Sequence, residues 1–201
     1  MKNIPFFLLF AFALCVAPAW AQNSIISGVI TTPHGDVLTG GEVTLLDLQG
    51  NIVGTQTLQS GQYNFFDLDD NTDYILKVER DSDPLNGVST FDMVLGAKNI
   101  LGLQILDDPY TIIAADVNLT SSITTLDLLI VRRVILQLDQ AFPILPAWRF
   151  VPTDLNFTNP SDPFADLTGT PNEFTVTTNG GTVNFDVTGI KLGDLNYSVF
   201  P

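Results

Sequence analysis

Between residues 24 and 80, apolar and polar positions alternate in short runs at 25–32, 42–48, 51–58, 62–68 and 73–79. Turn residues separate them: Pro33-His34-Gly35, Gly40-Gly41, Gln49-Gly50-Asn51, Ser60-Gly61 and Asp69-Asp70-Asn71. A period of two places alternate side chains on one face of a strand, so the runs predict five short strands. Five strands at this spacing predict a small antiparallel sandwich. After residue 81 the period becomes helical. Phe91, Val94, Leu95 and Leu101 share one face, Ser89 and Thr90 stand where a cap is wanted, and Gly102 stands where a helix ends. A second helix is expected over 125–138. It is apolar nearly all round except for Arg132 and Arg133, so it needs cover on more than one side, from the rest of the chain or from a partner protein. From Phe142 onward Pro and aromatic residues dominate, and runs at 174–178 and 183–187 around Asn179-Gly180-Gly181 predict a β-hairpin. The fold class is α+β. Four segments are expected: 1–21, a sandwich at 22–80, repeats at 81–140, and a linker with a hairpin tail at 141–201 that packs on what precedes it.

The helical part contains a repeat. Residues 86–95 and 121–130 align without gaps, and both Asp81/Asp116 and Asp92/Asp127 are 35 residues apart. Calcium takes six to eight oxygens, and a twelve-residue loop supplies them from positions one, three, five, seven, nine and twelve. In the second loop these are Asp116, Asn118, Thr120, Ser122, Thr124 and Asp127, all oxygen-bearing. In the first they are Asp81, Asp83, Leu85, Gly87, Ser89 and Asp92, so Leu85 leaves one side-chain ligand missing, to be replaced by water or Asn86. The second loop is therefore expected to bind calcium more tightly. Ile123 stands where a β-branched residue packs between paired loops. Gly193-Asp194-Leu195-Asn196-Tyr197-Ser198 reads as the opening of a further calcium loop that the chain ends too soon to finish, as expected of a fragment.

Lys2, an apolar run at 4–16 and Ala19-Trp20-Ala21 before Gln22 have the three-part layout of a secretory signal, so the mature chain is expected to begin at Gln22 and to be secreted or held at the cell surface. Cys15, the only cysteine of the 201 residues, lies inside that signal, and Leu14 before it disfavours lipidation. No disulfide is available after cleavage, so a core or a metal must stabilise the exported chain. Losing Lys2 leaves seven basic against 22 acidic groups, a charge that disfavours nucleic acid and suits calcium. No run after the signal is long and apolar enough for a membrane span. His34 is the only histidine, and neither a phosphate loop nor a nucleophile elbow occurs, so an enzyme is not expected.

The glycine-punctuated runs around Gly28, Gly50 and Gly61-Gln62-Tyr63-Asn64-Phe65, ending in Tyr74-Ile75-Leu76-Lys77-Val78, resemble the carboxypeptidase-regulatory-like and Cna-B-like family of sandwich modules (Ig-like or prealbumin-like). That resemblance implies a spacer or presentation domain. Asp at position twelve, one helix per loop and two tandem copies resemble the dockerin type I family. The nearest wording is that of divergent repeats in secreted Bacteroidetes-type proteins: Asn86-Gly87-Val88-Ser89-Thr90-Phe91-Asp92, Ala114-Ala115-Asp116-Val117-Asn118, Trp148-Arg149-Phe150-Val151-Pro152 and Gly193-Asp194-Leu195-Asn196. It implies two half-EF-hand calcium sites and an anchoring role in extracellular polysaccharide-degrading or cell-surface assemblies. It also implies a cohesin-like β-sandwich partner held by Thr90 and Phe91 in the first copy and by Thr125, Leu126, Arg132 and Arg133 in the second. Phe91 and Leu126 depart from the hydroxyl residues usual there, and an alternative makes them core residues facing the other repeat. A second functional alternative is a carbohydrate-binding or adhesin module that meets an extracellular glycan through Tyr110, Trp148, Phe150, Phe157 and Phe164.

Overall fold

The structure is a computed structural model that describes residues 23–80, 83–145 and 147–200. The expected signal and Asp81 lie outside the described residues.

All five amino-terminal strands form: β1 Ser24–Thr31, β2 Glu42–Leu46, β3 Ile52–Thr57, β4 Gln62–Leu68 and β5 Asp73–Glu79. Their alternation sets what is inside. Ile26 and Ile30 of β1, Tyr63 and Phe65 of β4, Val43 and Leu45 of β2, and Leu76 and Val78 of β5 build one buried core.

The sheets are not made from these strands alone. β6 Trp148–Pro152, β7 Glu173–Thr177, β8 Thr182–Asn184 and β9 Val187–Lys191 all come from the carboxy-terminal third. One sheet runs β4-β1-β9-β6, with β8 also on β1, and the other runs β3-β2-β5-β7. The pairings are antiparallel except for two on β1, which pairs antiparallel with β4 but parallel with β8 through Ile25–Ser27 and with β9 through Ile30 and Thr31. β8 and β9 thus act as one interrupted strand. At the interruption the Phe185 carbonyl accepts from the Tyr63 hydroxyl. Gly28 faces the same carbonyl, where a Cβ would stand 2.1 Å from its oxygen, so this crossing requires glycine.

The expected hairpin does not form. Asn179-Gly180-Gly181 carries the chain from one sheet to the other, with β7 on β5 and β8 on β1. The main chain explains the choice: the Gly181 carbonyl accepts from Ile25 N, and Ser24 Oγ accepts from Gly180 N. The expected linker likewise contains β6, whose Trp148 and Phe150 are core residues.

Three α-helices follow β5: α1 Thr90–Ile100, α2 Pro109–Ala115 and α3 Thr125–Ile135. Ser89 and Thr124 are the caps of α1 and α3, each completed as a capping box by Asp92 or Asp127. The repeat extends to the far ends, where Gly102 and Gln137 both take positive φ and close the helices alike. This left-handed turn stops α3 at Ile135, short of Leu138. The helix α2 was not anticipated, and it means the second loop lies between two helices rather than before one. Val88, Val117, Val131, Val134, Phe142 and Leu192 form a second core that joins the helices to the end of β9.

Candidate functional site

The Asp116 loop is built where α2 ends and α3 begins. Asp116 and Asp127 are fully buried, while Thr120 and Ser122 reach the surface. Asp116 Oδ1 accepts from Thr120 N at 2.9 Å, its Oδ2 accepts from Ser121 N at 2.7 Å, and Asn118 Oδ1 accepts from Thr120 N at 3.2 Å. Leu119 and Ser121 hold φ of 53° and 60°, and this double left-handed step folds the loop back on itself. Ser121 does so at the sixth place, where calcium loops ordinarily carry glycine. Asp127 Oδ2 accepts from both Thr124 N and Thr124 Oγ1, and Asp127 Oδ1 accepts from Asn118 N at 3.4 Å.

The oxygen spacing bears on calcium directly. Thr120 Oγ1 lies 3.4 Å from Asp116 Oδ1 and 3.5 Å from the Ser122 carbonyl oxygen. Both distances are long for hydroxyl hydrogen bonds. Two oxygens each about 2.4 Å from a calcium ion and at right angles lie about 3.4 Å apart, so the spacing suits neighbouring ligands. Burial, followed by the charge of Asp127, pushes the Asp116 carboxyl up against the main-chain donors that hold it down. Among the described residues no three His, Cys, Asp or Glu side chains gather into a metal cluster. The loop instead brings two carboxylates together with amide, hydroxyl and main-chain oxygens.

The first loop is arranged differently from the sequence expectation. Asp83 is exposed and its Oδ1 accepts from Leu85 N. Leu85 packs against the second core, so the residue counted as a missing ligand has a packing role. Asn86, the expected substitute ligand, instead clamps the chain end: its Nδ2 donates to the Phe200 carbonyl at 2.7 Å and its Oδ1 accepts from Phe200 N at 3.2 Å. Gly87, Ser89 and Asp92 do lie together, with Asp92 Oδ2 accepting from Ser89 N and Ser89 Oγ. The partner that the fold brings to them is the terminal segment. Leu195 N donates to Asp92 Oδ1 at 2.8 Å, and Ser198 Oγ donates to the Gly87 carbonyl at 2.9 Å. A Cβ on Gly87, which has a φ of 80°, would stand 2.8 Å from Asp194 Oδ2. Tyr197 ties the segment down further, with its hydroxyl on Asp108 at the start of α2 and its ring edge-on to His34.

The residues expected to meet a partner are exposed. Thr90, Thr125, Arg132 and Arg133 face solvent. Phe91 is 55 % and Leu126 52 % exposed, which overturns the reading of these two as core residues between the repeats. Positions 94/129, 101/136 and 103/138, also 35 apart, are exposed apolar pairs as well, so α3 is not covered on all sides. Arg133 makes a bidentate pair with Asp139, at 2.6 and 2.8 Å.

Of the tail aromatics, Trp148 and Phe150 are buried in the sandwich core, and Tyr110 meets Phe157 edge-on. No described helix is long and apolar enough to cross a membrane. No protein-family model matches the chain, and comparison with curated proteins finds no match.

Proposed function

We propose that this chain is an exported, non-catalytic calcium-binding module of the dockerin-like kind that anchors protein to protein outside the cell. The observation that carries the reading is the Asp116 loop, where carboxylate, amide, hydroxyl and main-chain oxygens converge at the start of a helix with the spacing of calcium ligands. Burial of Asp116 and Asp127 supports it, because two buried carboxylates in one loop repel each other until a dication neutralises them. The anchoring surface would be the exposed apolar face of α1 and α3 around Phe91, Val94, Leu126 and Leu129, with Thr90, Thr125, Arg132 and Arg133 as its polar members. An apolar centre with arginines beside it suits a protein partner such as a cohesin-like sandwich.

Calorimetric titration of the purified chain with calcium, together with helicity measured in excess chelator, tests the calcium reading. Heat of binding and a loss of helicity without calcium are expected. An absence of heat, or helicity indifferent to chelator, overturns it. Calcium-dependent capture of a sandwich protein through Phe91 and Leu126 tests the anchoring reading. Glycan binding that persists in chelator would favour the carbohydrate alternative, for which the burial of Trp148 and Phe150 removes two candidate platforms.

A further inference from the structure

The terminal segment repeats the architecture of the Asp116 loop with residues from elsewhere in the chain. Asp194 Oδ1 accepts from Ser198 N at 3.1 Å and Oδ2 accepts from Val199 N at 2.8 Å. These are the fourth and fifth residues on, as Thr120 and Ser121 are from Asp116. Asn196 Oδ1 accepts from Ser198 N at 3.0 Å, as Asn118 accepts from Thr120. Tyr197 is left-handed at φ 58°, matching Leu119 at 53°. The second half also corresponds. Thr120 Oγ1 approaches the Ser122 carbonyl within one continuous loop, and Ser198 Oγ approaches the Gly87 carbonyl across a chain separation of 111 residues. Asp127 takes a main-chain N–H from its own loop, and Asp92 takes one from Leu195.

From this correspondence we infer that the first calcium site is discontinuous. Asp194, Asn196 and Ser198 supply its first half, and the Gly87 carbonyl, Ser89 and Asp92 supply its second. The inference rests on the calcium reading above and reassigns the ligands that the sequence placed at Asp81 and Asp83. A further observation points to an ion here. Asp92 and Asp194 are 1 % and 3 % exposed, and among the described residues neither forms an ion pair with Lys or Arg. Lys191, the buried amine nearby, feels the charge of both carboxylates but makes an ion-pair contact with neither, donating instead to the Pro84 carbonyl at 2.7 Å and the Leu192 carbonyl at 3.4 Å. A Cβ on Gly87 would stand 2.6 Å from Val199 N and Cα and 2.8 Å from Asp194 Oδ2, so glycine is what lets the terminal segment close on this loop. The donor set is all oxygen, with two carboxylates, an amide, hydroxyls and a carbonyl, as calcium prefers. An ion bound there fastens the end of the chain to the start of α1. It also gives both sites the same ligand types, so Leu85 does not weaken the first.

The test is calcium stoichiometry by calorimetry on the unaltered chain and on the D194N, D116N and D83N variants. Hydrogen exchange of the unaltered chain with and without calcium accompanies it. Two equivalents are expected for the unaltered chain, one for D194N, one for D116N and two for D83N. Calcium should slow amide exchange at 196–199 as well as at 118–121. Because D194N also disturbs the turn, the exchange measurement stands independently of any variant. Two equivalents retained by D194N, one lost by D83N, or calcium protection that misses 196–199 overturns the split site while leaving the calcium reading intact. No calcium uptake by the unaltered chain overturns both.

Discussion

A methyl group added at Gly28 would sit against the Phe185 carbonyl, which is itself fixed by the Tyr63 hydroxyl and by the strand pairings on either side. Main chain cannot yield as a flexible side chain does. Gly28→Ala is expected to cost about 1–3 kcal/mol, read as a lower urea midpoint with an unchanged slope. At the sites, Asp92 and Asp127 each accept three hydrogen bonds at a helix start while buried. Losing such an acceptor costs about 1–3 kcal/mol. Compared in saturating calcium, Asp92→Ala and Asp127→Ala each remove three such hydrogen bonds and one carboxylate ligand, so they are expected to lower the melting temperature alike. That equality reverses the expectation from ligand counting, in which the second loop was the stronger. Counting along the chain treated Leu85 as a defect because the residues that take over lie about a hundred positions later.

Among the elements, legibility followed local pattern. β1, β2, β4 and β5 set buried positions between open ones, and β3, which buries none, alternates exposed and half-buried residues from Val53 onward, so all five were readable, whereas β9 is buried at every position and β6 at three of five, so neither shows a period of two. α2 is seven residues long, too short for helical periodicity, although Asp108-Pro109 is a cap followed by the favoured first-turn proline. The Gly-Gly turn announced a reversal but not which sheets it joins. Where α1 meets α3, a Cβ on Gly96 would lie 2.7 Å from Leu128 Cδ2, the movable end of a side chain. Alanine there gains about 1 kcal/mol of helix propensity, so Gly96→Ala is expected to be near neutral in thermal melts, while Gly96→Leu should separate the helices and lower the melting temperature sharply. The exposed pair Phe91 and Leu126 gives the opposite result. Changing both to Ser should move stability by only about 0.5 kcal/mol each while abolishing partner capture.

At the scale of the whole molecule, the sandwich is shared between the two ends of the chain. β1 needs β8 and β9 on one edge, and the core around Ile26 and Leu76 includes Trp148, Phe150, Val176 and Val187. Residues 22–80 expressed alone are therefore expected to give no cooperative thermal transition, even though the alternation that defines a sandwich is complete within them. A sharp transition for that fragment would show that the amino-terminal strands suffice.

The parallel pairing of β1 with β8 and β9 joins residues 157 positions apart. A chain that emerges amino-terminus first makes β1 and its neighbour β4 early but β8 and β9 nearly last, so that edge of the first strand waits until most of the protein exists. Contacts of such long range make folding slow. For a chain read as exported, the delay has a use: the polypeptide stays threadable during passage and commits to its fold only once its carboxy-terminal strands arrive.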